Sequence, residues 1–307
     1  MNKPVFILIH GYSSSNVWWN YKDVGTIELE PINFLDELKK LGDVYLYGLE
    51  FFNILYYWTI DEPKERERLK KIYAKYNPHT SNLNFTIENL QYVNICEDIH
   101  NKVISQYGLE RKYVIVSHSY GCLIGLKYCQ MYSNECLFNV AIDNSPYYLK
   151  FFVKMANSSY AKKEKKIVDK YLYNNTELKN ILTKIKNKNF SQNENVNKEI
   201  SMVFDLISWI DWNERIKNFV PRMPIFTLYF RAMYPKTKDK FKIKQNKWAI
   251  EEKKQLDKSN DKNSLKYIII PDAQHYIWFD QENSNKIINQ ITRTLNKFNK
   301  SNKFNKS

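Results

Sequence analysis

The residue types able to do chemistry converge on one short stretch. Val114-Ile115-Val116-Ser117-His118-Ser119-Tyr120-Gly121-Cys122-Leu123-Ile124 carries an apolar, strand-like run into a small-x-Ser-x-Gly pentapeptide and on into an apolar helical segment. A tight strand-to-helix turn lifts a serine hydroxyl clear of a sheet, provided that small neighbours let the backbone pass closely. The helix that follows aims its first N–H groups and the positive end of its dipole at the place where an oxyanion would develop. Ser119 is therefore the candidate nucleophile, with Ser117 as the first small residue. The competing reading is a polar loop serine that only caps the helix. A serine nucleophile needs a base within hydrogen-bond reach, and histidine suits neutral pH. Five histidines are available: His10, His79, His100, His118 and His275.

The elements that must position these groups are legible on both sides. Residues 4–10 form a continuous apolar run of the buried-strand kind, closed by Gly11 and a serine-rich loop. A helix is predicted over 31–41, opened by Pro31, and a strand follows from Gly42. A charged helix over 62–76 falls within a long excursion, 52–86, that reads as an insertion. An apolar stripe at three-to-four spacing predicts a helix over 88–107, then the strand KYVIVSH, the helix YGCLIGLKYCQMY and the strand CLFNVAID. Strands alternating with helices argue for βαβ units and a mostly parallel sheet flanked by helices. The alternation breaks after Ser145 and resumes near Val220 with PIFTLYF and LKYIIIP, followed by a last helix over roughly 283–298. The division this predicts is a core of residues 1–146 and 221–298, a helical cap insertion over 147–220, and a polar tail over 299–307.

Composition narrows the class. A chain of 307 residues with 43% hydrophobic and 15% aromatic residues is not a disordered polymer, and seven glycines exclude a collagen-like one. No apolar run approaches the roughly 18 residues of a membrane span. The N-terminus, one lysine and a short apolar run ending in His10-Gly11, does not read as a signal peptide. Cys96, Cys122, Cys129 and Cys136 form no CxxC pair and have no zinc spacing, so they read as small core hydrophobes of a reducing, cytoplasmic compartment. Forty-seven Lys+Arg against 33 Asp+Glu give a net charge of +14. Most of the lysines are scattered, as on a solvated basic surface, and no specific nucleic-acid site is expected. A peripheral contact with an anionic membrane is the other use such charge allows.

With the strand–Ser–helix stretch in place, the chain resembles the α/β-hydrolase superfamily over nearly its whole length. Phe6-Ile7-Leu8-Ile9-His10-Gly11-Tyr12 is similar to the family's HGx segment at the end of its third strand, which implies that this chain starts at that strand. The resemblance implies oxyanion-hole N–H groups at Tyr12 and Tyr120, and Trp18 or Trp19 resembles the aromatic that follows HG. It also favours His275, in IIIPDAQHYIWF just after the last strand, as the base. His10 belongs to the oxyanion segment, His79 to a polar excursion and His100 to a helix. His118 is expected to point away from the elbow. The acid has two candidate places in such a family. Asp143 ends the strand Val140-Ala141-Ile142, whereas the stretch Arg231-Ala232-Met233-Tyr234 after PIFTLYF holds no carboxylate and Asp239 comes only later, in a lysine-rich loop. Asp143 is preferred, and Asp239 is the alternative acid. Asp211 and Asp272 read as turn or cap residues.

The function so implied is serine-dependent hydrolysis of a carboxylic ester or related acyl bond of a small-molecule substrate, with no metal or organic cofactor. Trp209 and Trp212, in the aromatic part of the cap, are the candidate substrate-binding residues; ordinary packing of cap helices is the plainer reading. The rival from another class is a hydrolase fold kept as a non-catalytic binding or receptor protein. The oligomeric state is not legible.

Overall fold

The computed structural model describes residues 3–11, 19, 33–48, 91–144 and 222–304, with isolated positions at 64, 68 and 71. The chain divides into two compact units, one of Met1–Ser81, Ile99–Tyr147 and Val220–Ser307, the other of Asn82–Asp98 and Tyr148–Phe219. The expected cap, Tyr12, Trp18, His79, Trp209, Asp211 and Trp212 lie outside the described residues, as does most of the 52–86 excursion.

Six strands build one sheet in the first unit: β1 (Val5–Ile9), β2 (Asp43–Tyr47), β3 (Tyr113–His118), β4 (Cys136–Ile142), β5 (Thr227–Met233) and β6 (Leu265–Pro271). Their order is β2-β1-β3-β4-β5-β6, and every neighbouring pair is parallel. Parallel strands joined by crossovers are covered on both faces, so the central ones read as unbroken apolar runs. Every residue of β1 and β3 is buried accordingly. Strand alternation sends Phe6, Leu8, Val114, Val116, Val140, Leu228 and Phe230 to one face. That face is closed by α1 (Phe34–Leu41), through Phe34, Leu35 and Leu38, and by α5 (Gln281–Phe304), through Ile287, Ile291 and Leu295. The other face carries Ser117, Tyr229 and Arg231 against α3 (Gly121–Met131) and α4 (Lys240–Ser259). The helix α2 (Tyr92–Tyr107) meets α3 where His100 stacks on Tyr132 at 3.7 Å and hydrogen-bonds the Tyr128 hydroxyl at 3.2 Å.

Several elements differ from the sequence reading, and the first of them is α1, which begins at Phe34 after an Asn33 cap and not at Pro31. β5 runs three residues past Phe230, so Arg231 is a buried strand residue and not part of a loop. The lysine-rich stretch after it is the 20-residue helix α4, which buries Ala249, Glu252 and Leu256. The last helix continues through Phe304, beyond the expected end near 298, and draws in part of the tail. All four cysteines are buried and none is in a disulfide, as their small apolar character predicts.

The chain lays β2 on one side of β1 and β3 on the other, and the strand order reverses there. In open α/β sheets such a switch point leaves a crevice beyond the carboxyl ends of the two strands. The residues that flank it are His10 and Gly11 after β1 and Ser119 after β3. Close backbone approach at this point demands glycine. A Cβ on Gly121 would fall 2.5 Å from the Ile9 carbonyl oxygen and 2.6 Å from that of His10. A Cβ on Gly11 would fall 2.9 Å from Ser119 Cβ. Gly121→Ala should therefore force β1 and α3 apart. The expected cost is about 1–3 kcal/mol of stability, read as a lower urea midpoint at unchanged m-value.

Candidate active site

Ser119 sits where β3 ends and α3 begins, with its backbone at φ 52°. For a non-glycine residue this is a strained, left-handed conformation of the kind a sharp strand-to-helix turn imposes. It is held by its own N–H, which donates to the Ile142 carbonyl at 3.0 Å, and by its carbonyl, which accepts the Cys122 N–H at 3.1 Å. Tyr120 follows in helical conformation (φ −53°, ψ −42°) and opens α3. Strained backbone recurs twice more: among the described residues the only other non-glycine positions with positive φ are Asp143 (42°) and Asp272 (54°). Each of these also follows directly on a strand, β4 and β6.

The structure brings His275 and Asp143 together across 132 residues of sequence, with His275 Nδ1 2.6 Å from Asp143 Oδ2. Asp143 is buried, whereas 39% of the His275 side chain stays accessible. The other oxygen of Asp143, Oδ1, accepts the Ala232 N–H at 2.9 Å and lies 3.2 Å from Arg231 Nη1. Arg231 Nη1 also donates to the Asn144 carbonyl. Burial alone would lower the Arg231 pKa, but Asp143 and Glu252 more than offset this and raise it. Asp239 goes elsewhere. Its carboxylate accepts the Lys242 N–H at 3.3 Å and its carbonyl accepts that of Ile243, so it caps the start of α4.

Two groups near the site escaped the sequence reading. His118 does not point away: its ring lies 4.5 Å from that of His275, and its Nε2–H donates to the His275 carbonyl at 3.0 Å. The alternation of β3 could have predicted this, because His118 shares a face with Val114 and Val116, the side on which the His275 loop descends. Trp278 meets the His118 ring edge-on at 4.7 Å and stacks on Trp19 at 4.6 Å, which in turn stacks on Phe34 at 6.0 Å. Arg231 is the second group. It occupies the stretch searched for an acid, and it is the cation that faces the acid. Among the described residues no group of three or more His, Cys, Asp or Glu side chains is placed to hold a metal ion. None of their helices is long and apolar enough to cross a membrane.

No family model matches the sequence, and no curated protein matches it by sequence. Solved structures do match. A candidate lipase from Acinetobacter baumannii AYE superposes with a TM-score of 0.50 at 16% identity, covering 97% of this chain and 85% of that one. A marine microorganism esterase gives 0.47 at 17% identity, with 96% of each chain covered. An esterase from Thermogutta terrifontis gives 0.47 at 13%, covering 97% of this chain and 91% of that one. The chain has the α/β-hydrolase fold. In this instance of the α/β-hydrolase fold, the carboxyl edge of the sheet gathers Ser119, His275 and Asp143 from the ends of β3, β6 and β4.

Two histidines beside this edge are held neutral. Burial takes His10 down to about 4, partly countered by the hydrogen bond from its Nδ1–H to the Gly11 carbonyl. Burial and the neighbouring His275 hold His118 well below its ordinary value. Both pKa values are depressed on folding, so the unfolded chain binds protons that the native state refuses. Stability is therefore full above pH 6.5 and falls as pH drops toward the folded values. His10 alone should remove about 3 kcal/mol, at order of magnitude, between pH 6.5 and 4. Urea midpoints at pH 7.5 and 4.5 should show this loss, and His10→Asn should show less of it.

Proposed function

We propose that this protein is a serine hydrolase that cleaves a carboxylic ester or related acyl bond of a small molecule. The observation that carries the reading is the 2.6 Å contact between His275 Nδ1 and buried Asp143, set on the same sheet edge as Ser119 on its strained turn. In this reading Asp143 accepts the Nδ1–H of His275 and so fixes the tautomer in which Nε2 is the free base. His275 takes the Ser119 proton as the hydroxyl attacks the carbonyl carbon. The tetrahedral oxyanion is met by the backbone N–H groups assigned to Tyr12 and Tyr120, aided by the N-terminal end of α3. Collapse expels the alcohol, which leaves with the proton held by His275. Water activated by the same imidazole then releases the acid from the acyl-enzyme and regenerates Ser119. Asp143 stays ionised throughout and stabilises the imidazolium.

The rival reading is a fold retained for binding alone. The Asp143–His275 contact and the accessibility of His275 favour catalysis over it. A fluorophosphonate probe should label the wild type stoichiometrically and Ser119→Ala not at all. On a panel of acyl esters and thioesters graded by chain length, His275→Ala should lose several orders of magnitude in kcat. Asp143→Asn should lose up to about 10⁴-fold, as removal of a triad acid does, and Asp239→Asn should stay within about tenfold of wild type. Labelling that survives Ser119→Ala, or an Asp239 effect larger than that of Asp143, would overturn the assignment.

A further inference from the structure

The acid is held by a charge network that the proposed reaction does not itself require. Asp143, Arg231 and Glu252 are 4%, 3% and 1% exposed, so three ionisable groups sit together almost without water. Arg231 Nη1 faces Asp143 Oδ1 at 3.2 Å, and its Nε lies 3.6 Å from Glu252 Oε2. Glu252, on α4, is saturated from the other side. The Tyr229 hydroxyl donates to Oε1 at 2.9 Å and the Tyr267 hydroxyl to Oε2 at 2.8 Å, the two rings stacked at 4.9 Å. Burial and the Glu252 charge push both phenols well above their ordinary value, so they remain protonated donors.

We propose that Arg231 is the positioning residue of the acid, clamping Asp143 Oδ1 and the Asn144 carbonyl so that Oδ2 alone is presented to His275, with Glu252 and its two tyrosines anchoring the clamp. This rests on the proposed reading of Asp143 and His275. The physical case is one of degrees of freedom. A carboxylate on a backbone at φ 42° can rotate about χ2 and exchange its oxygens. One backbone N–H, from Ala232, leaves that rotation weakly opposed; a rigid guanidinium on the same oxygen opposes it and compensates the buried charge. Lysine would supply the charge but not the planar group whose Nη1 meets Asp143 and Asn144 while its Nε faces Glu252.

The charged groups around the Asp143–His275 pair are Arg231 from β5 and Glu252 from α4. The titratable groups that stay uncharged are Tyr229 and Tyr267, with His118 from β3 and its neighbour His10. Among the described residues, Tyr234 after β5 and Tyr276 after β6 also lie beside the pair. The proteins to compare are wild type, Arg231→Lys, Glu252→Gln and the charge-balanced double variant Arg231→Met/Glu252→Gln. We expect Arg231→Lys and the double variant to lose roughly 10- to 100-fold in kcat with KM within about twofold, because orientation of the base is lost while the pocket is not. The acid limb of the kcat/KM profile should move in opposite directions. Removing the nearer cation moves it up in the double variant, and removing only the farther anion moves it down in Glu252→Gln.

NMR titration of the His275 imidazole reads the same two shifts without turnover, and near-UV circular dichroism establishes that each variant is folded. A wild type that neither labels with fluorophosphonate nor hydrolyses any ester defeats the proposed reaction, while the titration still reads the clamp. An active wild type whose folded variants keep its kcat and show no opposed shifts overturns the clamp and leaves Arg231 a structural ion pair. If the double variant does not fold, the Arg231→Lys kcat and the Glu252→Gln titration decide in the same way.

Discussion

A carboxylate taken out of water must be compensated, and the compensation of Asp143 organises one whole end of this sheet. Isolated, such a buried charge would cost several kcal/mol or simply take up a proton. Here it is met by a backbone N–H, an imidazole and a guanidinium, and the guanidinium brings a buried charge of its own. Glu252 balances that second charge, and two tyrosine hydroxyls satisfy the oxygens of Glu252. Each group is required by the one before it. The sequence of requirements begins at the end of β4, crosses β5 and ends on α4 and β6, so four elements are fixed in register by one anion. It also gives the lysine-rich α4 a purpose that its exposed surface conceals.

Among the described residues, the opposite face of the same edge is built from rings. Trp19, Phe34 and Trp278 stack, and His118 lies edge-on to Trp278 with its ring beside His275. His118 is kept neutral by burial and by His275 itself, so it can donate one hydrogen bond to the His275 carbonyl without competing for the Asp143 charge. The consequence is a division of labour between the two faces. The network through Arg231 holds the side-chain end of the Asp143–His275 pair, while His118 and the tryptophans hold the backbone that carries His275. The imidazole of His275 remains partly open to solvent.

Much of this could be read from the residues. β1, β3 and β4 are short apolar runs closed by turn signals, and the structure gives them within a residue or two of the expected bounds because burial on both faces leaves little ambiguity. Asp143 at the end of β4 was favoured over Asp239 on the ground that a strand end holds a carboxylate more rigidly than a loop, and Asp143 is the one that meets His275. The lysine-rich loop expected around Asp239 gives way to α4 at Lys240, a helix that its lysine-dominated composition hides because it is specified by a few buried residues, Ala249, Glu252 and Leu256. Arg231 was passed over for a related reason. The search there was for a carboxylate, and a lone arginine in an apolar strand announces a buried partner without saying which one. The direction of His118 follows the two-residue period of the strand leading into the turn, which the turn signal at Ser119 obscures.

The three strained residues show why the site stands at this edge and nowhere else. Ser119, Asp143 and Asp272 each take a left-handed backbone at the first step beyond a strand, and each would relax if the chain could leave the sheet more gradually. The sheet prevents this by spending the flanking backbone groups on its own bonds. The Ser119 N–H is tied to Ile142, the Asp143 N–H to Phe230, and the Ala273 N–H, just after Asp272, to Met233. Each strained residue is thus fastened to the neighbouring strand, in the order β3 to β4, β4 to β5 and β6 to β5. Strain held in this way does not dissipate into a loop. It converts the register of a parallel sheet, set by its apolar core, into fixed relative positions for a hydroxyl, a carboxylate and the loop bearing an imidazole, with tolerances smaller than flexible connections would allow.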